Sequence, residues 1–175
     1  MDILRSQEDR NMKNKPKIIL VDLGKVLLFS KEELSGKMNP RHKELIETAG
    51  KNYPFFKYFG VNEKLLKLLT GLKDKYLIYM ITEGDIQNHS PLKERLEKAL
   101  DYNHIFSTSS LNLDKKKPEA YEYVVQELGV EPSEILFIDD SSDNITAASQ
   151  VGFQVIQSLS ESQVVSDLKE SLDLN

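Results

Sequence analysis

The sequence contains neither cysteine nor tryptophan. Without cysteine, disulfide bonds, thiolate metal sites and a cysteine nucleophile are excluded, and we expect a cytoplasmic location. Long apolar runs are also missing, since no run approaches the ~18 residues that a membrane span requires. Positive charge is in deficit, with 23 Lys and Arg against 28 Asp and Glu and a net charge of −5. This balance argues against nucleic acid or an anionic membrane as a partner.

What the sequence does contain is typical of one globular domain. Its 175 residues, 39% of them hydrophobic and 29% charged, suit a single core with a small insertion. The start, MDILRSQEDRNMKNK, is polar and lacks the apolar core of a signal peptide, so we expect residues 1–16 to form a flexible arm. Met12 is a second candidate for the biological start, because the first apolar strand begins after it. Residues 17–175 are expected to form the domain.

Strand-like and helix-like segments alternate along this domain. The apolar runs that predict strands are KIILVD (17–22), YLIYMIT (76–82), IFSTSS (105–110), ILFIDD (135–140) and FQVIQ (153–157). The segments with apolar residues at helical spacing are 61–75, 90–102, 117–129, 142–152 and 161–174. This alternation predicts an α/β fold, a doubly wound, Rossmann-like parallel sheet of five strands with helices on both faces.

Residues 30–60 fit the alternation least. We expect them to form a small helical cap inserted after the first strand, with a helix over NPRHKELIETAG and an aromatic turn over YPFFKYFG. The aromatic side chains of that turn have two possible roles, packing or lining a substrate surface, and we favour packing.

Two adjacent aspartates end the apolar strand in ILFIDDSSDN (135–144). The carboxylates of Asp139 and Asp140 repel each other and resist burial, so a cation is expected beside them. The carboxyl ends of parallel strands meet at one edge of a sheet, where ligands bind. Polar residues at the ends of the neighbouring strands are therefore expected to lie beside Asp139 and Asp140.

Further polar residues are expected at that edge. Asp22 ends the first strand and Thr82 the second, while Lys117 begins the helix that precedes the fourth strand. Three carboxylates form a hard oxygen site suited to Mg²⁺, and a lysine, a hydroxyl and loop amides beside it suit a phosphate. Lys115, Lys116 and Lys117 also crowd a helix start, where the helix dipole disfavours cations, and a bound anion would relieve this conflict.

Four segments in this order, VDLGKV, MIT, KKKPEAY and ILFIDDSSDN, resemble the motifs of the haloacid dehalogenase (HAD) superfamily across roughly residues 17–157. The resemblance implies a phosphohydrolase in which Asp22 attacks phosphorus and carries the phosphoryl group as an aspartyl-phosphate. It also implies Mg²⁺ as cofactor and a phosphorylated small molecule as substrate. The site residues that it implies are Asp22 and Lys117 for catalysis, Thr82, Lys117, Glu83, Leu23 and Gly24 for phosphate, and Asp22, Gly24 (through its carbonyl), Asp139 and Asp140 for the metal.

The sequence departs from the family pattern two positions after Asp22. Active phosphatases of the family commonly carry an aspartate there as general acid and base, whereas this chain has Gly24 followed by Lys25. Dehalogenases and one group of sugar-phosphate phosphatases also lack that acid. A dehalogenase needs a roomy cap, which the short insertion does not provide. Two interpretations remain, a phosphohydrolase or a non-catalytic HAD-like domain that binds phosphate or a protein partner.

Each candidate residue also has an ordinary structural interpretation. A strand-terminal aspartate such as Asp22 commonly serves a turn, Thr82 suits a strand, and a lysine run is usually a solvated turn. Their joint order favours a site. A response-regulator receiver domain uses similar residues, but its acidic pair belongs to the first strand, whereas here the pair ends a late one.

Overall fold

The computed structural model describes residues 15–32, 38–100 and 104–174. Five parallel strands form the main sheet and two short antiparallel strands form a second one. In chain order the strands are β1 (Ile18–Asp22), β2 (Leu28–Ser30), β3 (Phe59–Val61), β4 (Leu77–Thr82), β5 (His104–Ser107), β6 (Ile135–Asp139) and β7 (Gln154–Gln157). The main sheet has the order β5-β4-β1-β6-β7, which confirms the predicted five-stranded parallel sheet.

Helices cover both faces of this sheet. The α-helices are α1 (Met38–Ala49), α2 (Phe55–Tyr58), α3 (Glu63–Leu72), α4 (Ser90–Leu100), α5 (Pro118–Leu128), α6 (Ser142–Val151) and α7 (Glu161–Ser171), of which α3 to α7 cover the sheet. All five residues of β1 are buried. Ile19 and Val21 belong to one apolar cluster with α3, α4 and α7, while Ile18 and Leu20 belong to another with α5 and α6. The doubly wound arrangement is therefore confirmed.

Local sequence signals set the ends of several helices. The Asn62 side chain accepts a hydrogen bond from the amide of Leu65 and caps α3. Pro118 occupies the first turn of α5, and Gly129 ends that helix with a φ of 63°. One boundary differs from expectation, because β5 ends at Ser107 and the following residues form turns rather than strand.

Strand order places the predicted polar residues together. The chain passes from β1 to β4 and β5 on one side, then crosses to β6 and β7 on the other. The order thus reverses at β1, where open α/β sheets bind ligands. Register pairs Asp22 with Ile81 and Val21 with Ile138, so the carboxyl ends of β1, β4 and β6 lie side by side.

The segment predicted as a cap, 30–60, contains α1 and α2 and lies between β2 and β3, with residues 33–37 outside the described part. The aromatic turn proves to be the short helix α2. Phe55 and Phe59 are fully buried with ring centroids 4.9 Å apart, as expected for packing. Residues 1–14, most of the predicted arm, also lie outside the described part. Among the described helices, none has both the length and the apolar character needed to cross a membrane.

Two buried histidines join the cap to the main domain. His42 lies on α1, and its Nδ1 is 2.6 Å from the hydroxyl of Tyr53. The Tyr53 ring stacks on that of His89, which immediately precedes α4, with ring centroids 4.5 Å apart. Burial raises the pKa of Tyr53 to about 12, so its hydroxyl stays protonated and shares a hydrogen bond with Nδ1 of His42.

Burial lowers the pKa of both His42 and His89. For His42 the neighbouring His89 and Lys43 act in the same direction, whereas Asp85 opposes them. Each histidine therefore stays neutral in the folded protein at a pH where it would accept a proton in the unfolded chain. The resulting stability is fully present above the unfolded pKa of about 6.5 and is lost as pH falls below it.

We predict that the contribution of the two buried histidines to the free energy of unfolding falls between about pH 8 and about pH 5.5, with a slope of at most about 1.4 kcal/mol per pH unit for each, while Asp22 and Asp140, whose pKa values are raised, act in the opposite direction. Urea titration at both pH values should show a smaller fall in His42→Gln and His89→Gln. His104→Gln, at an exposed histidine, is the matched control and should keep the wild-type fall. An identical fall in all four proteins would contradict the prediction.

Candidate active site

Three carboxylates converge at the carboxyl edge of the main sheet. Asp22 ends β1, Asp139 ends β6 and Asp140 follows it. One oxygen from each lies within 4.8 Å of the others. Asp139 is fully buried, Asp22 is 6% exposed and Asp140 is half-buried. The structure thus brings together the acidic residues that the sequence places at strand ends.

The cation beside these carboxylates is Lys115. Its Nζ lies 2.6 Å from Oδ1 of Asp22 and 2.8 Å from Oδ2 of Asp139, and its side chain is 2% exposed. The sequence-based prediction named Lys117, whereas the lysine beside these carboxylates in the structure is Lys115. Lys117 is the exposed N-cap residue of α5, directly before Pro118, and its extended backbone precedes the helix at the surface.

A buried tyrosine fixes the backbone of Lys115. Tyr121 lies on the inner face of α5 and is fully buried, and its hydroxyl donates to the Lys115 carbonyl at 2.8 Å. A buried tyrosine hydroxyl needs a partner, and this one reaches the residue six positions earlier. This contact with Tyr121 distinguishes Lys115 from Lys116 and Lys117 in the structure.

Asp139 has its hydrogen-bonding capacity largely occupied. Its Oδ1 accepts from the amide of Ser141 at 2.8 Å, and both of its oxygens lie 3.1 Å from Nδ2 of Asn144. Its Oδ2 also faces Lys115. Asp140 differs, since its side chain is 29% exposed and its Oδ2 lies 3.6 Å from Nζ of the exposed Lys25. Asp139 is thus held inside the protein, whereas Asp140 faces the open side of the site.

Burial and mutual repulsion raise the pKa of both Asp22 and Asp140. For Asp22 burial is the main cause and Asp139 adds to it, while Lys115 opposes both. Burial and the neighbouring Asp139 likewise raise the pKa of Asp140, against the effect of Lys25. Burial by itself would lower the pKa of Lys115, but Asp22 and Asp139 outweigh it, so this lysine remains charged. The three carboxylates therefore carry more negative charge than the single buried ammonium of Lys115 neutralises.

A pocket of about 340 Å³ opens onto these groups. Thr82 is buried at the end of β4, whereas Glu83 is exposed beside it, and both line the pocket with Gly24. Leu23 is fully buried in the core, so it borders the site through the backbone. A larger cavity of about 650 Å³ lies along β5, remote from the three carboxylates, and its lining includes none of them.

The donor set fits Mg²⁺. Carboxylate oxygens are the ligands that hard divalent cations prefer, and three of them lie within reach of one ion. Oδ1 of Asn144 is also buried in the same pocket without a hydrogen-bond partner among the described residues. Asp22 and Asp140 would be the principal ligands, because Lys115, Ser141 and Asn144 already engage Asp139.

Comparison with known proteins shows which family the chain matches. Residues 24–152 match the family described as haloacid dehalogenase-like hydrolases. D-ribitol-5-phosphate phosphatase from Bacteroides thetaiotaomicron is 25% identical over 109 residues, which cover 55% of this chain and 50% of that protein. Enolase-phosphatase E1 from Persephonella marina is 28% identical over 117 residues, 66% of this chain and 41% of its own. The chain therefore spans half or less of the length of these relatives.

Solved structures share the fold at low sequence identity. A HAD family enzyme from Bacteroides thetaiotaomicron, in complex with magnesium and inorganic phosphate, has a TM-score of 0.58 and 19% identity, covering 81% of this chain and 93% of that one. A 2-haloacid dehalogenase from Pseudomonas syringae has a TM-score of 0.57 and 12% identity, covering 81% and 86%. Because one fold carries both names, the fold alone does not select the reaction.

We predict that Lys115→Met destabilises the protein by about 3–5 kcal/mol, because it leaves Asp22 and Asp139 buried without their cation. Urea unfolding in the presence of a chelator measures this loss. Lys117→Met is the matched control and should change stability by less than about 0.5 kcal/mol, as expected for an exposed site. Equal losses in the two variants would show that the buried ion pair does not carry the predicted stability.

Proposed function

The chain belongs to the haloacid dehalogenase-like hydrolases, and we propose that it is a Mg²⁺-dependent phosphohydrolase acting through an aspartyl-phosphate on Asp22. The observation that supports this most is the position of Asp22, whose carboxylate lies in the pocket beside Lys115 and within metal-sharing distance of Asp139 and Asp140. A carboxylate held this way is oriented to act as a nucleophile.

The proposed reaction has two steps. Asp22 attacks phosphorus, the ester P–O bond breaks, and the alcohol leaves with a proton taken from the site or from water. Water then attacks the phosphorus of the aspartyl-phosphate, which releases inorganic phosphate and restores Asp22. Lys115 orients Asp22 throughout and, with the Thr82 hydroxyl, offers donors to the phosphoryl oxygens. Bound Mg²⁺ would offset repulsion between the anionic nucleophile and the anionic substrate.

We propose a phosphorylated small molecule as the substrate. Two relatives carry the names of phosphatases of such molecules, D-ribitol-5-phosphate phosphatase and enolase-phosphatase E1. A pocket of about 340 Å³ is of the size that small ligands occupy. The net charge of −5 makes nucleic acid an unfavourable substrate.

Gly24 lies at the position where a general acid would donate a proton to the leaving group. A Cβ at Gly24 would lie 3.1 Å from the terminal methyl group of Met38 and 3.6 Å from Oδ2 of Asp22, and the φ of Gly24 is not in the left-handed region. Lys25, the next residue, has its ammonium beside Asp140. No carboxylate is therefore provided at the position of the family's usual general acid.

This glycine also supports a second candidate function, a HAD-like domain that binds phosphate or a protein partner without turnover. The two candidates share the site and differ in whether inorganic phosphate is released. A phosphatase assay over a panel of metabolite phosphates with Mg²⁺ separates them, because only the enzyme releases phosphate.

We predict that Asp22→Asn abolishes turnover while the fold remains intact, because the amide cannot attack phosphorus. Rapid quench of the wild-type protein with a phosphorylated substrate should trap the phosphoryl group on Asp22, and a chelator should suppress the trapping. Asp143→Asn, an exposed acid on α6, is the control and should keep wild-type activity. Turnover by Asp22→Asn would rule out covalent catalysis through this residue.

A second prediction concerns Gly24. A positioned general acid or base contributes ~10²–10⁴-fold, so we expect aryl and acyl phosphates to be cleaved much faster than alkyl phosphates. A burst followed by slow turnover is also expected, because hydrolysis of the aspartyl-phosphate needs a base. Gly24→Asp should flatten the dependence of rate on leaving-group pKa and remove the burst, with Met38 shifting by a few tenths of an ångström. Similar rates for alkyl and aryl phosphates in the wild-type protein would contradict this.

A further inference from the structure

The cap brings one polar side chain over the pocket. Met38 and Asn39, in the first turn of α1, are the described residues of the cap that line it. Met38 offers a thioether, which is a weak hydrogen-bond acceptor. Asn39 offers an amide with both acceptor and donor atoms.

The amide of Asn39 lies directly on the backbone of Gly84. A Cβ at Gly84 would lie 2.4 Å from Cγ and Nδ2 of Asn39 and 2.5 Å from its Oδ1. The Gly84 carbonyl accepts hydrogen bonds from Gln87 at 2.8 Å and from Ser107 at 3.0 Å, so this backbone is held in place. Asn39 therefore reaches the loop after β4 because the residue there is glycine.

Oδ1 of Asn39 is buried and has no hydrogen-bond partner in the described part of the chain. A buried acceptor without a partner destabilises the protein, so a ligand that supplies the missing donor gains affinity. Asn39 and Thr82 both line the pocket, so a molecule bound there lies against this amide. A hydroxyl group is the fitting donor, because it can also accept from the Nδ2 end of the same amide.

We infer that Asn39 is a specificity residue that binds a hydroxyl group of the substrate close to its phosphate ester. The inference rests on the proposed function, because it takes the phosphoryl group to lie beside Thr82. It assigns the substrate to the phosphates of hydroxylated compounds rather than of plain alkyl chains. A site that hydrogen-bonds a substrate hydroxyl discriminates against an analogue that lacks it.

The lysines at the pocket do not call for a second acidic group on the substrate. Lys25 already pairs with Asp140 at 3.6 Å and Lys116 with Asp143 at 3.5 Å. Both ammonium groups are also mostly exposed to solvent, where a further ion pair contributes little. On the cap side of the pocket, the amide of Asn39 is therefore the group that we assign to selection among phosphates.

Binding measured in the Asp22→Asn protein tests this inference without turnover. Calorimetry with Mg²⁺ should show that glycerol phosphate binds about tenfold more tightly than propyl phosphate, the value of one net hydrogen bond. In the same background Asn39→Leu, which keeps the shape and removes the polar atoms, should bring the two affinities together. The affinity for inorganic phosphate should stay within about twofold, because the amide does not touch it.

Three further variants separate the hydrogen bond from structural effects. Gly84→Ala displaces the amide of Asn39 and should also remove the preference. Asn39→Asp keeps the acceptor, so it should retain the preference while its charge weakens the binding of both esters. Asn88→Ala changes an exposed asparagine outside the pocket and should leave both affinities unchanged.

Two results would overturn the inference, namely equal affinities for the two esters in the Asp22→Asn protein or a preference that survives Asn39→Leu. Loss of inorganic phosphate binding in Asn39→Leu would overturn it as well, because it would indicate a structural role. A wild-type protein that shows the preference but hydrolyses no phosphate would count against the phosphohydrolase and leave the specificity role standing.

Discussion

This site depends on the ion pairs that the buried ammonium of Lys115 forms with Asp22 and Asp139. Two carboxylates from neighbouring strands, Asp22 and Asp139, meet inside the protein, and neither could stay charged there without a cation. Lys115 comes from the loop before α5, 93 positions from Asp22. One ion-pair cluster thereby joins three separate parts of the chain at the point where strand order reverses.

The two adjacent aspartates, Asp139 and Asp140, have different surroundings in this arrangement. Asp139 is enclosed by Lys115, Ser141 and Asn144, so it supports the position of the lysine. Asp140 is the more open of the two, and the pKa values of Asp22 and Asp140 are both raised. A divalent cation that neutralises Asp22 and Asp140 would lower both values and leave Lys115 in place. The lysine and such a cation would thus be complementary rather than alternative partners of the carboxylates.

The features predictable from the sequence are those that local patterns determine. Apolar runs predicted the five strands, and the cap of Asn62 and the turn at Gly129 marked helix ends. The sequence does not separate the three consecutive lysines, because the position of Lys115 depends on Tyr121 meeting its carbonyl across a loop. The contact between Asn39 and Gly84 had no signal in the sequence either, since it arises only when the cap folds back on the loop after β4.

The turn after β1 contains Gly24 and Lys25 where the family's usual general acid is absent. Lys25 adopts a φ of 59°, a conformation that costs a residue other than glycine about 1 kcal/mol or more. Its amide donates to the Leu28 carbonyl at 2.6 Å, which holds the turn closed and compensates for part of that strain. The same turn brings the ammonium of Lys25 beside Asp140 and leaves Gly24 without a side chain at the pocket. Since this lysine pairs with a carboxylate, the segment after β1 contributes charge neutralisation to the site. In the proposed reaction, proton transfer would therefore fall to water, or the leaving group would have to depart without a proton.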